Sequence, residues 1–356
     1  TKAWYARDGM FDGVDAVLFT HVGSNLGVSW GDSRGTGLVS VEYMFDGVSA
    51  HGAGSPWRGR SALDAVELMN VAWNFRREHL SPLQRSHYVI SDGGDQPNVV
   101  PSYASVWYFI REITADNILE NFNTLNQIAE GASMMTDTTM SRRIVGAAYP
   151  RHYNKPIALA MDENLRKVGL PTWSEDDQRF AKALQTLMGS DDPQGLATEL
   201  SGIGEPPERP VSGGSDDIGD VSWNVPTVRL SYPSNVRGLI GHHWSSAMAM
   251  ATPIAHKGAI AGAKVIATTL LDLVQNETLV DEAQAYFDDV QTAEEQYQPF
   301  IGPDDTPAIE KNLDIMAQFR PLLEEFYYDP SRYDSYLEQL GIEYPQLEAD
   351  VIQRGN

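Results

Sequence analysis

The sequence contains no cysteine. That excludes a disulfide framework, a thiolate nucleophile and any zinc site built on thiolates, so a bound metal would have to be held by His, Asp or Glu. Cations are also scarce: 26 Lys and Arg stand against 49 Asp and Glu, a formal charge of −23. A nucleic-acid surface needs clustered cations to displace counterions, and an anionic membrane surface attracts the same groups, so neither is an expected partner. No unbroken apolar run reaches the roughly 20 residues that span a bilayer. The opening Thr1-Lys2-Ala3-Trp4-Tyr5 does not read as an export signal, which gives a cytoplasmic expectation. There is no G-x-G-x-x-G, no P-loop and no G-x-S-x-G elbow.

What is present is a chain of 356 residues with enough apolar content for a sizeable core and a length suggesting about two domains. Val14 to Thr20 reads as a buried strand ending at His21. From about Asp32 the pattern changes to a β-rich segment (38–48), a helix capped by Ser61 (61–78), strands at 87–91 and 105–111, a helix at 115–135 and a strand at 141–147. That order, β-α-β-β-α-β, is the ferredoxin-like split pattern. After Tyr149 come helices at 157–168 and 175–188, a long Gly/Pro/acid-rich loop at 190–215, a β segment at 227–232 and a helix at 254–273. Small residues in this last helix permit close backbone packing. The stretch 281–356 is acidic and aromatic and reads as helical segments packing on a surface.

In a cysteine-free chain the histidines come first. His21 enters a Gly-containing loop after a strand, where open α/β sheets place functional groups; its plainer role is a satisfied strand-end histidine. His242 and His243 follow Gly241, and this pair is as suited to capping a helix as to binding metal. His51 lies in the glycine-rich turn 49–54 and is suited either to donating to a developing oxyanion or to satisfying turn carbonyls. His79, His87, His152 and His256 read as structural. Asp216, Asp217 and Asp220 are an acidic group that suits an Asx turn and helix cap as well as a ligand site. Arg111 ends the aromatic strand 107–110 and is suited to clamping a carboxylate or to a structural ion pair. Met134, Met135 and the tryptophans read as core.

Taken together, several stretches resemble the M20 family of metal-dependent amidohydrolases and peptidases, in the branch of the aminobenzoyl-glutamate hydrolase subunits. They are 11–21; 45–51 with 55–56 and 59–66; 97–100; 217–223; and His242 with Trp244, followed by 254–258. The resemblance covers most of residues 1–275 and implies a zinc-peptidase-like α/β catalytic domain (1–31 and 150–280). Into it is inserted a ferredoxin-like lid and dimerisation domain (32–149), followed by an unexplained aromatic tail (281–356). It implies metal binding by His21 and His242, oxyanion support from His51 in the neighbouring subunit's site, and substrate contacts from Asn98, Arg111 and Asp217. Relatives of the aminobenzoyl-glutamate type carry His-Pro where this chain has His21-Val22.

The family's first metal ligands and its paired glutamates, one of them the general base, match no residue here. Two histidines are fewer than the three protein ligands of a catalytic site. The expectation is therefore a second polypeptide, an N-terminal fragment of the same protein supplying the remaining ligands and the base Glu. A homodimer or higher homo-oligomer and one or two divalent ions (Mn, Zn, Co or Ni) are also expected. Thr1 as an N-terminal nucleophile is a weaker rival. The implied chemistry is hydrolysis of a C–N bond in a small carboxylated, aromatic substrate such as an aminobenzoyl or N-acyl amino acid. The alternatives are replacement of a ring amino group by hydroxyl with ammonia release, of the 5-nitroanthranilate type, and a non-catalytic subunit with half a metal site.

Overall fold

The computed structural model describes residues 2–32, 35–206 and 213–347. In chain order its elements are α1 (Lys2–Arg7), β1 (Val17–Gly23), β2 (Gly27–Ser29), β3 (Gly31–Asp32), β4 (Gly37–Asp46), α2 (Ala62–Arg76), β5 (Arg85–Asp92), β6 (Tyr103–Glu112), α3 (Ala115–Thr136), β7 (Thr139–Ala148), β8 (His152–Tyr153) and α4 (Lys155–Val168). There follow α5 (Glu175–Leu187), α6 (Ile218–Ser222), β9 (Thr227–Pro233), α7 (Trp244–Met250), α8 (Pro253–Gln275), α9 (Glu277–Tyr286), α10 (Leu313–Leu323) and α11 (Tyr336–Gln339). The short helix α1 and the start of α9 carry no clear signal in the sequence.

The inserted unit is an antiparallel sheet in the order β5-β6-β4-β7. Alternation builds it: Val39, Val41, Tyr43 and Phe45 of β4 and Val106, Tyr108 and Ile110 of β6 are fully buried on one face. α2 and α3 cover that face with Val66, Met69 and Trp73, and with Ile118, Phe122 and Leu125. The side chains of Ser61 and Thr114 accept hydrogen bonds from Asp64 N and Asn117 N and fix where these helices start. Polar atoms in this core are paired. Tyr43 OH donates to Asn126 Oδ1 at 2.6 Å and Trp73 Nε1 to Ser86 Oγ at 2.8 Å. The opposite face, with Glu42, Trp107 and Phe109, carries neither helix. Met134 and Met135, expected in the core, are exposed instead. The buried stripe of α3 runs through Ile118, Phe122, Leu125 and Ala129 and leaves them on its far side.

The frame holds a smaller sheet, β1-β9-β2, with β1 and β9 parallel and β2 antiparallel to β9. Among the described residues β1 has a strand on one side only. Helices α4 and α8 pack against it, Ile157, Met161, Leu165 and Val265 meeting Val228 and Leu230. The glycines of α8 are required there. A Cβ on Gly258 would stand 2.1 Å from Pro233 O, and one on Gly262 2.7 Å from Tyr232 Cβ. By length and composition alone α8 is long and apolar enough to cross a bilayer, contrary to the sequence expectation; its glycine face is nonetheless fitted to β9. Its Ile260, Leu270, Leu271 and Val274 are exposed.

The two sheets are joined where the chain leaves the frame and returns, at the antiparallel pair β3 and β8. His152 is structural, as expected: Nδ1 meets Asp32 Oδ1 at 3.0 Å and Nε2 meets Tyr286 OH at 3.1 Å. The aromatic tail straps this junction. Tyr149 stacks on Phe300 at 5.1 Å, and Tyr297 OH donates to Asp220 at 2.8 Å. Lys311 then pairs with Glu42 of β4 at 2.8 Å. Farther on, Tyr344 packs against Phe180 of α5 at 5.5 Å.

Candidate active site

His21 lies inside β1, opposite Ser231 of β9, rather than just beyond the strand. β1 and β9 are parallel, so their carboxyl ends share one edge, and the loop from β9 to His242 starts at that edge. The His21 ring Nδ1 lies 2.7 Å from Val22 O. A carbonyl only accepts, so Nδ1 carries the proton and Nε2 keeps its lone pair for a ligand. His242 is exposed and takes a left-handed backbone, φ 56°. Its neighbour His243 is the N-cap of α7, its Nδ1 accepting from Ser245 N at 3.3 Å, so it fills the capping role open to it.

On the inserted unit, His51 and Asn98 are brought together. Gly52 N donates to Asn98 O at 2.8 Å, Val100 N to Ala50 O at 3.0 Å, and His51 pairs with Val99. The His51 Nδ1 accepts from Ala53 N at 3.2 Å and Gly54 N at 3.1 Å. The proton therefore sits on Nε2, the tautomer that donates a hydrogen bond outward, and the ring is exposed.

Arg111 stands at the other end of the same sheet. In β6, Tyr103 pairs with Asp46 next to the His51 turn, while Arg111 pairs with Leu38 at the start of β4. The eight residue-to-residue steps from Tyr103 to Arg111 span about 26 Å of strand. One chain therefore does not bring Arg111 to His51 and Asn98. Arg111 NH1 donates to Ser215 Oγ at 3.1 Å and the guanidinium lies 5.2 Å from the Phe109 ring centre. Nε is buried without a hydrogen-bond partner, and burial pulls the group below its ordinary value. No carboxylate pairs with it among the described residues.

The acidic group separates in the structure. Asp216 meets Arg151 at 3.8 Å. Asp217 binds Lys2 Nζ at 2.5 Å; burial works against its ionised form, but the Lys2 ammonium outweighs it and holds the carboxyl below its usual range. Asp220 is buried against Tyr149 and Tyr297. Thr1 lies outside the described residues. Trp107 reads as core in the sequence and His87 as structural, yet both lie with Phe109 and Arg111 on the open face of the sheet. The spacing 107-109-111 on a strand, which puts all three on one face, was the available signal.

The residues present do not make a complete metal site. His21 and His242 offer two imidazoles, and no group of three or more His, Asp and Glu gathers at ligand spacing among the described residues. A catalytic divalent ion would need further ligands from elsewhere.

Residues 35–133 match the model of the M20 peptidase dimerisation domain. The chain is 33% identical over 306 residues to one of the subunits of the p-aminobenzoyl-glutamate hydrolase of Escherichia coli (strain K12), covering 80% of this chain and 63% of that protein. It is 25% identical to the Xaa-Arg dipeptidase of Mus musculus, covering 78% of this chain and 57% of the relative. The fold is shared with a candidate aminohydrolase from methicillin resistant Staphylococcus aureus, at 18% identity and a TM-score of 0.50, over 75% of this chain and 61% of the other. The chain thus spans less than two thirds of the length of these curated relatives. Residues 35–133 thus carry an M20 peptidase dimerisation domain, and the chain is similar over most of its length to a p-aminobenzoyl-glutamate hydrolase subunit.

Proposed function

We propose that this chain is the lid-bearing part of a hydrolase that cleaves a C–N bond in a small carboxylated, aromatic substrate, and that its active site is shared between two copies. The observation that carries the reading is the placement on β6. His51 and Asn98 sit at one end of the sheet and Arg111 at the other, too far apart for one small molecule. In a two-fold dimer, one copy's His51 and Asn98 would face the other's Arg111. The His51 Nε2–H would donate to the oxygen of the attacked carbonyl as it gains charge, and Asn98 would orient the same oxygen. Arg111 would hold the substrate's carboxylate in a fork. Water adds across the bond, its oxygen going to the carbonyl carbon and a proton to the departing nitrogen. A divalent metal, when bound by His21 and His242 with ligands from a second polypeptide, would supply the activated water. The one-sided edge of β1 and the exposed apolar residues of α8 support such a partner, which in this reading is an N-terminal fragment of the same protein carrying the base Glu.

The test is complementation. His51→Ala and Arg111→Gln chains, each inactive alone, are mixed and exchanged, and cleavage of 4-aminobenzoyl-glutamate and ammonia release from aminobenzoates are both followed. A shared site predicts recovery to about a quarter of native activity, because half the dimers are mixed and each has one intact site. No recovery, with dimers exchanged and both variants folded, would exclude the shared site. Ammonia release without amide cleavage would replace the amide by an aryl amine.

A further inference from the structure

The open face of the inserted sheet combines two properties that a chain of charge −23 has little reason to place together: fixed aromatic rings and a cation with no acid paired to it among the described residues. Along β6, Trp107, Phe109 and Arg111 share the face opposite the buried Val106, Tyr108 and Ile110. The register sets His87 beside Phe109 and Val89 beside Trp107. A hollow of about 220 Å³ opens there, lined by His87, Tyr88, Val89, Trp107 and Phe109. The rings are held in place. Trp107 Nε1 donates to Ser40 Oγ at 2.8 Å, and the two rings meet edge to face at 5.6 Å. The tail closes one side, with Lys311 5.0 Å from the Trp107 ring centre, but Lys311 is already paired with Glu42. Arg111 is paired with no acid among the described residues. Burial and the nearby Arg111, Arg77 and Arg85 all press His87 toward its neutral form, so the surroundings are cationic.

We propose that this face is a shelf for an aryl carboxylate: the ring lies against Trp107 and Phe109, and the carboxylate is taken by Arg111. The inference rests on the reading that Arg111 holds the substrate's carboxylate and adds the residues that select an aromatic ring. The spacing suits it. Same-face residues on a strand stand about 7 Å apart, so a ring over Phe109 brings a directly attached carboxylate within reach of Arg111. Aliphatic acids would find the same cation but no face-to-face partner.

Binding is measured without turnover, by calorimetry of the native protein with benzoate and with its saturated counterpart cyclohexanecarboxylate. Benzoate should bind more tightly. The ring-removing apolar variants Phe109→Leu and Trp107→Leu, checked for native melting temperature, should weaken benzoate by about three- to tenfold and leave cyclohexanecarboxylate nearly unchanged. Arg111→Gln should lose both. Equal affinity for the two acids, or benzoate binding untouched by both ring variants, would overturn the shelf. So would a dimer that dissociates in the ring variants while benzoate binding is absent from the native protein, since the face would then be a subunit contact. Complementation and binding fail independently. Recovery of activity without benzoate selectivity refutes the shelf alone, and benzoate selectivity without recovery refutes the shared hydrolytic site alone.

Discussion

Replacing Asp220 by Asn should stabilise the protein, and only above about pH 4. The Asp220 side chain is fully buried; Oδ2 accepts from Tyr149 N at 3.1 Å and Oδ1 from Tyr297 OH at 2.8 Å. Burial pushes its carboxyl up to about 6 from an ordinary 3.8, against the pull of those two hydrogen bonds. Because the folded-state value is the raised one, the folded protein keeps a proton that the unfolded chain has released between about pH 4 and pH 6. Stability is therefore lost as pH rises through that window and stays lower above it. Two units correspond to about 3 kcal/mol at neutral pH. Asparagine carries no charge and fits the same partners, its Oδ1 accepting from Tyr149 N–H and its Nδ2 donating to the Tyr297 hydroxyl oxygen. Urea unfolding of both proteins from about pH 4 to pH 8 should show Asp220→Asn gaining as much as about 3 kcal/mol over the native chain at the high end and little at the low end. A stability difference independent of pH, or a variant weaker than the native chain at high pH, would refute the reasoning.

Two further outcomes follow from the frame. Gly262→Val puts side-chain atoms into the ring of Tyr232, whose Cβ would lie 2.7 Å from the new Cβ, and should lower stability by about 1–3 kcal/mol in thermal or urea unfolding. Lys257→Met removes the counter-charge of Asp177, whose side chain is 1% exposed and bound to Lys257 at 2.5 Å. Lys257 is itself 35% exposed, so screening places the loss at the low end of the range for buried pairs, about 3 kcal/mol. Burial resists ionisation of Asp177, but the bond from Lys257 together with those from Ser174 outweighs it and depresses the carboxyl. The deficit should thus be full above the unfolded-state value of about 4 and shrink as pH falls through the depressed folded value.

The inserted unit was legible because its signals are local. Ser61 and Thr114 cap where the sequence places helix starts, and alternation along 38–48 and 105–111 is undiluted by loops. His51 and Asn98 were legible as separate residues, but their adjacency depends on a bridge between segments nearly fifty residues apart, which no local pattern encodes. Asp217 looked available in the sequence. Its partner Lys2 is 215 positions away, and only the fold brings that charge in. Met134 and Met135 failed for the opposite reason. Their composition reads as core, but the phase of α3, set by Ile118, Phe122 and Leu125, turns them outward.

β6 works as a ruler as well as a strand. Its even positions, Val106, Tyr108 and Ile110, bind the sheet to α2 and α3; its odd positions, Trp107, Phe109 and Arg111, face away from them. Slipping the register by one residue would bury Arg111 and expose Tyr108, so core packing and the chemistry of the open face are fixed by the same pairing. Length adds a second constraint. A strand just long enough to support two helices also separates the His51 turn from Arg111 by about 26 Å, more than a small substrate spans. In the proposed reading a sheet of this size carries parts of two sites, one at each end, and a partner copy running the opposite way would complete both. On that proposal the need for a second copy would follow from the length of β6, and shortening the strand without moving the turn would be expected to break catalysis before it breaks the fold.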